Sequence, residues 1–366
     1  MSVAFIADVH IGNHTKFGGY AVAGANNRCQ QCLNVLQKAC QIVPDGCNHL
    51  VIIGDLFDRS DTSPQIVAMT MGIISAAQRG GLDFTCIVGN HEMVSGYPGD
   101  TSLAPLDFLP SKFLTGTVVD RPQHLLGSRS IACIPHGITG TAEDWIEAVL
   151  SSKAHHTKIV AMHAGIYDDG FPAHLKKGTA IHVDRLVEIA SAHGVTHVFA
   201  GDYHIPKVWH RNGVGIFQCG ALCPTEFGEA PGYLFLLNAN NVTRHVIAGP
   251  RFVRLHWDNS TLSKMIAIRD QAHEDGDFIF WRITASQKDL ESVHSSICAA
   301  NIPDGTYEIL LDAGSAATPV YTSGGTVAEI VEEYMKKLDM PGVLAEDMQE
   351  VRANVKKFLQ SAGAIK

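Results

Sequence analysis

The sequence predicts an α/β layered domain, on three observations. Short β-branched apolar runs recur at Val3 to Ala7, Leu50 to Ile53, Phe84 to Val88, Ile131 to Ile134, Ile159 to Met162 and His197 to Ala200. Runs of that length, apolar on both faces, are central strands covered by helices on each side. A turn containing Gly, Asp, Asn or His follows the runs, and stretches of helical spacing lie between them.

The elements follow in chain order. In CQQCLNVLQKACQIV, residues Cys29, Cys32, Leu33, Leu36, Cys40 and Val43 repeat at the spacing of a buried helical face. That gives Cys29-x-x-Cys32 a core role rather than a zinc site, since a free cysteine behaves as a small hydrophobe. QIVAMTMGIISAAQ, AEDWIEAVLSS and HVDRLVEIASAHG are helical too, the last stopped by a glycine. After residue 205 the texture changes to hairpins, KVWHRNGVGIFQCG with its turn at Asn212-Gly213 and GYLFLLNANNVTRHVIAG, expected to form a second sheet beside the first. A short polar helix then leads into DFIFWRITA, DLESVHSSICAAN and TYEILLDAG, a strand-helix-strand unit. SAATPVYTSGG reads as a linker, and two amphipathic helices form a charged tail. The expected division is 1–255, a cap at 256–318 and a helical tail at 319–366.

A chain of 366 residues with 46% apolar and 18% charged residues has an ordinary globular composition. No stretch approaches the ~18 to 20 apolar residues of a membrane span, and the chain opens on the strand-like VAFIAD. The expected compartment is the cytoplasm, that of the host for a viral protein, with no membrane. Nine cysteines, odd in number and without paired spacing, read as reduced thiols. A net charge of −9 excludes a surface that is everywhere a trap for nucleic acid, though not a local basic groove.

Five strand ends carry potential metal ligands: Asp8 and His10 after VAFIA, Asp55 after VIIG, Asn90 and His91 after CIVG, His163 after IVAM, and Asp202 and His204 after VFAG. Functional groups gather at the carboxyl ends of the strands of an open α/β sheet, so these ends can meet in one crevice. Carboxylate, imidazole and amide donors without thiolate suit manganese, magnesium, iron or zinc in a hydrolytic role. Asp8, His10, Asp55, Asn90, His163, Asp202 and His204 are too many for one ion and enough for two sharing a carboxylate.

Asp8-x-His10, Gly54-Asp55-x-x-Asp58, Gly89-Asn90-His91-Glu92, His163 and Gly201-Asp202-x-His204 resemble, in order, the motifs of the calcineurin-like metallophosphoesterases. The resemblance implies a four-layer fold, two packed mixed sheets flanked by helices. It assigns one ion to Asp8, His10, Asp55 and His204, and the other to a bridging Asp55, Asn90, His163 and the residue at 202. His91 would protonate the leaving oxygen or stabilise developing charge, and Asp58 and Glu92 would orient ligand histidines. The family's pattern ends in Gly-His-x-His, and Asp202 departs from it. Aspartate is itself a competent, harder ligand, so the expectation is that it holds the second ion and favours manganese, with magnesium as the alternative; the other reading is a weak or empty second site.

GDLFDRSDTSP and the stretch GALCPTEFGEAPGYLFLL are similar to segments of SbcD-type DNA nucleases, which work with the coiled-coil ATPase SbcC in double-strand-break processing. That likeness implies DNA as substrate, a DNA-binding cap and a tail that docks the ATPase, though the tail's helices would equally pack on the protein's own surface. A homodimer is a further expectation. Arg59 and Lys207 are candidate substrate contacts, beside Lys112, Lys176, Lys177, Arg211, Arg251 and Arg254. Three readings follow: a metal-dependent DNA exo/endonuclease, a phosphodiesterase or phosphatase of small phosphoesters, and a DNA-end-binding scaffold with an impaired metal site.

Overall fold

Alternate residues of a strand face opposite ways, and this chain buries both faces of its central strands. The computed structural model describes residues 2–43, 46–110, 118–125, 130–137, 140–151, 157–170, 178–257, 262–286, 288–302 and 306–311. The expected tail at 319–366, the end of the cap, and Lys112, Lys176 and Lys177 lie outside the described residues.

The order is β1 (Ser2–Ile6), α1 (Asn27–Ile42), β2 (Cys47–Ile53), α2 (Pro64–Arg79), β3 (Asp83–Ile87), β4 (Val118–Val119), β5 (Gln123–Leu125), β6 (Ile131–Ile134), α3 (Ala142–Leu150) and β7 (Ile159–His163). Then come β8 (Gly165–Tyr167), β9 (Ala180–His182), α4 (Val183–Ala192), β10 (His197–Gly201), β11 (Lys207–Arg211), β12 (Val214–Gln218), β13 (Gly232–Asn238) and β14 (Asn241–Ile247). β15 (Phe252–Trp257), α5 (Leu262–Asp275), β16 (Phe278–Ala285), α6 (Leu290–Ala299) and β17 (Tyr307–Leu311) complete it.

Two six-stranded mixed sheets result, ordered β14-β13-β1-β2-β3-β4 and β11-β12-β10-β7-β6-β5. The expectation that the two hairpins make a sheet of their own is corrected. β13–β14 joins the first sheet through antiparallel pairing of β1 with β13, Phe5 opposite Phe235. β11–β12 joins β10, which itself pairs parallel with β7. The early strands thus divide between two packed mixed sheets, and two such sheets are what the family resemblance implied.

Alternation then builds four layers. Ala4, Ile6, Leu50 and Ile52 pack with Cys29, Cys32, Leu36 and Ile74 of α1 and α2. Their neighbours Val3, Phe5, Val51 and Ile53 face Ile159, Ala161, Phe199 and Phe217 of the second sheet. Phe5 stacks on Phe199 with ring centroids 3.8 Å apart; complete burial of each such ring contributes roughly 1.5–3 kcal/mol. On the far side Val160, Met162, Val198 and Ala200 meet Ile146 and Val149 of α3 and Leu186 and Ile189 of α4. All nine cysteines are free thiols, and Cys29 and Cys32 lie fully inside, as the helical spacing predicts.

The small sheet β15-β16-β17 starts at Phe252, a few residues before the expected boundary at 256. It attaches through an aromatic cluster: Phe252 and Phe278 meet Phe17 at 5.9 and 5.7 Å and Phe227 packs on Phe252 at 5.4 Å. No helix of the described residues is long and apolar enough to cross a membrane.

Candidate active site

The carboxyl ends of six parallel-running strands, three from each sheet, meet over the sheet edges. β1, β2 and β3 of the first sheet lead to Asp8 with His10, to Asp55, and to Asn90 with His91; β10 and β7 of the second lead to Asp202 with His204 and to His163. β6, the neighbour of β7, leads to His136, which the strand-end reading passed over.

The backbone turns sharply to aim these groups. Asp8, His10, Asp55 and Asp202 have φ of 52°, 51°, 50° and 83°, a left-handed conformation that costs a non-glycine residue of order 1–2 kcal/mol. Cross-links hold it: His10 N donates to Asp55 O at 2.9 Å and Leu222 N to Ala7 O at 2.9 Å. Asp202 N donates to the Asp8 carboxylate at 3.1 and 3.2 Å. Glycines make the room, since a Cβ on Gly54 would lie 2.0 Å from His163 Nδ1, and one on Gly89 2.1 Å from Asp55 Oδ1.

Four overlapping sets of ligand atoms each lie within 4.8 Å: Asp8, His10 and His204; His10, Asp55 and His91; Asp8, Asp55 and His163; and His136, His163 and Asp202. Asp8, His10, Asp55 and His163 each fall in two of these sets, so neighbouring sets share ligand atoms, Asp55 among them. Asn90 Oδ1 lies 3.0 Å from His163 Nε2. His163 Nδ1 donates to Ile53 O at 2.9 Å, which turns Nε2 towards Asp55 Oδ2 at 3.4 Å and Asp202 Oδ1 at 3.8 Å. His204 Nδ1 is held by Glu229 Oε1 at 2.7 Å, and its Nε2 faces His10 Nε2 at 3.0 Å.

The electrostatics fit a cation. Burial pushes the Asp8 carboxyl up to about 7, against the pull of His163 and His204, and burial likewise raises that of Asp202. Burial works to lower His163, but Asp55, Asp8 and Asp202 override it and hold the imidazolium well above its ordinary value. His204 is also opposed by burial yet raised to about 9 by Glu229 and Asp8. Protons on these histidines thus neutralise the carboxylates, and a single proton joins the His10 and His204 ring nitrogens across 3.0 Å. A divalent ion answers the same need with its own charge. His10 Nδ1 is buried without a hydrogen bond, 3.7 Å from Asp58 Oδ1.

The remaining expected residues take different places. Asp58 stands close to the His10 and His14 rings, at 3.7 and 3.6 Å, beyond hydrogen-bond reach. Glu92 orients no histidine. Its carboxylate accepts from the backbone N–H of Asp55, Phe57 and Gly89 at 3.0, 2.8 and 2.8 Å, stapling two ligand-bearing turns together. Burial raises its carboxyl to about 8. His91 Nδ1 donates to Asp58 O at 2.5 Å. Arg59 borders the cavity, paired with Asp61 at 2.8 Å. Lys207 does not border it: Asp168 holds its ammonium at 2.7 Å against the Trp209 ring, because β11 lies at the far edge of its sheet.

A cavity of about 610 Å³ opens over His10, His91 and His204. Lys16, Arg28, Arg59 and Arg254 line it together with Phe227 and Phe252. Lys16 and Arg254 lie 5.1 and 4.8 Å from the Phe227 ring. Of the residues sequence reasoning missed, Glu229 was readable only as part of the FGE stretch, and His136 by extending the strand-end rule to a turn opened by proline.

The family model of the calcineurin-like phosphoesterases matches residues 1–206. A probable cyclic nucleotide phosphodiesterase of Psychrobacter arcticus is 22% identical over 266 residues, covering 66% of this chain and 90% of its own. Among solved structures, TT1561 of Thermus thermophilus is 14% identical with a TM-score of 0.44, over 67% of this chain and 98% of its own. A putative 5'-nucleotidase from Staphylococcus aureus is 15% identical with a TM-score of 0.42, over 67% of this chain and 53% of its own. With its family model matching more than half of the chain, this protein belongs to the calcineurin-like phosphoesterases, hydrolases that use two divalent metal ions, and its described residues include groups that could hold them.

Proposed function

We propose that the protein hydrolyses nucleic-acid phosphodiesters, taking the end of a DNA strand into the cavity over His10, His91 and His204, with Mn2+ as its metal. The observation that carries this reading is the cavity wall. On a chain of net charge −9, Lys16, Arg28, Arg59 and Arg254 gather at one opening with two phenylalanines between them. Cations beside aromatic faces fit a strand of alternating phosphates and bases. At about 610 Å³ the space falls within the roughly 300–1,000 Å³ of small-ligand sites, so it fits a strand end of one or two nucleotides rather than a duplex.

Asp8, His10, Asp55 and His204 would hold one ion, and Asp55, Asn90, His163 and Asp202 the other. When bound, the ions supply Lewis acidity and positive charge to phosphate and water. His91 Nδ1–H donates to Asp58 O, which leaves Nε2 facing the site, and as the imidazolium His91 would deliver its Nε2 proton to the departing oxygen and be left neutral. Lys16 and Arg254 hold flanking phosphates, and the Phe227 face stacks on a base. A second reading, hydrolysis of a cyclic nucleotide, is favoured by the Psychrobacter relative and by the same cavity size.

The test offers linear DNA, a cyclic nucleotide and bis-p-nitrophenyl phosphate with Mn2+, Mg2+ or chelator. The expected result is Mn2+-dependent release of nucleotides from DNA, lowered about 10²–10⁴-fold in His91→Ala. Turnover of the cyclic nucleotide with DNA left intact establishes the second reading. Inertness towards all three, at any metal, leaves an end-binding scaffold.

A further inference from the structure

Three neighbouring strands of the second sheet, β10, β7 and β6, run parallel and end side by side at Asp202, His163 and His136. The outer two of these are the departures: Asp202 stands where the family's pattern has an imidazole, and His136 belongs to none of the family's motifs read above. We propose that His136 is a ligand of the second ion, supplying the imidazole that position 202 lacks. This rests on the two-metal reading of the site.

The placement supports it. Ile134 of β6 is in register with Met162 of β7, so His136, two residues on, stands level with the residues that follow Met162. Its backbone N donates to Val88 O at 2.9 Å, fastening this turn to the end of β3, the strand that leads to Asn90. On the other side Trp145 packs against the turn so closely that a Cβ on Gly137 would lie 1.9 Å from its ring. The His136 ring stands 6.0 Å from that of His163 at 68°, edge towards face, and ligand atoms of His136, His163 and Asp202 fall within 4.8 Å of one another.

The chemistry points the same way. Asp55 and Asp202 would bring two carboxylates to the second ion. A neutral imidazole adds a donor without charge, and nitrogen is a good donor to manganese and zinc alike. With Asp202 in place of the family's imidazole and His136 supplying one, the second ion would have one carboxylate more than the family's pattern, which lowers its preference for softer metals.

The experiment titrates Mn2+ into the full-length protein by calorimetry, with electron paramagnetic resonance counting bound ions, for wild type, His136→Ala and His136→Asp. Thermal melting in chelator checks that each variant folds. The expected result is two ions in wild type, a second ion weakened at least about tenfold in His136→Ala with the first unchanged, and recovery in His136→Asp, which restores a donor. Two ions of unchanged affinity in His136→Ala overturn the assignment while leaving the two-metal site intact. Equal losses in the Ala and Asp variants also overturn it, since they mean that His136 acts only by packing. A wild type that binds no ion refutes the two-metal reading itself.

Discussion

Glu229 Oε1 lies 2.7 Å from Nδ1 of His204, and the other oxygen of the same carboxylate accepts from Thr225 N at 2.5 Å. The carboxylate thus fixes the histidine's tautomer, leaving Nε2 turned towards His10 where the first ion is proposed, and ties that ring to the loop bordering the cavity. Glu229→Ala is expected to weaken the first ion or lower kcat/KM by about 10–100-fold. Glu229→Gln keeps an accepting oxygen and loses less. Mn2+ titration together with hydrolysis of bis-p-nitrophenyl phosphate checks both.

Gly54 has φ of +72°, and its missing Cβ leaves room for His163 Nδ1 to reach Ile53 O at 2.9 Å. In Gly54→Ala the new methyl group occupies that ring's position, and the left-handed backbone adds strain of about 1 kcal/mol. The variant is expected to fold with a lower Tm and to lose the ion that His163 would hold, while the ion at His10 and His204 persists. Metal stoichiometry after dialysis measures this directly; a full complement of ions would show that the ring can move aside.

The strand ends were legible in the sequence because each apolar run stops at a polar turn residue, and in Ile53-Gly54-Asp55 or Val88-Gly89-Asn90 the glycine marks where a ligand ring or carboxylate needs space. The sorting of strands between sheets was not, since a buried parallel strand such as β7 has the same apolar texture as β2 and its partners are set by distant contacts. His136 was hidden by Pro135, which interrupts the glycine pattern although the topology is the same. Glu229 was hidden by distance, 25 residues beyond the histidine it holds. Lys207 misled in the other direction: nothing in KVWHR shows that Asp168, on a different strand connection, takes its charge.

Arg254, on β15, stands at the cavity with its guanidinium 4.8 Å from the Phe227 ring. Among the described residues it makes no hydrogen bond or ion pair with the turns that carry the proposed ligands, so its removal separates substrate binding from chemistry. Arg254→Ala is expected to raise KM for linear DNA by about tenfold and to reduce the slope of log affinity against log salt by about one. Turnover of bis-p-nitrophenyl phosphate should stay within about twofold, because that ester has no second phosphate to lose contact. An equal loss on both substrates would place Arg254 in the chemistry instead.

His49 gives the fold a pH dependence that is independent of the metal site. Buried on β2 with Nε2 3.0 Å from Thr85 Oγ1, its imidazole is lowered by burial to about 3, whereas in the unfolded chain it titrates near 6.5. Above about 6.5 both states are neutral there and the stability is complete. Between about 6.5 and 3 the unfolded chain binds a proton that the folded one refuses, so stability falls as the pH falls, by up to about 1.4 kcal/mol per pH unit. His49→Gln cannot take up that proton and removes this contribution. Urea unfolding in chelator at pH about 7.5, 6.5 and 5.5 is expected to show wild type losing roughly 1 kcal/mol more than His49→Gln over the last step. Parallel losses in the two proteins would mean that other groups carry the acid sensitivity.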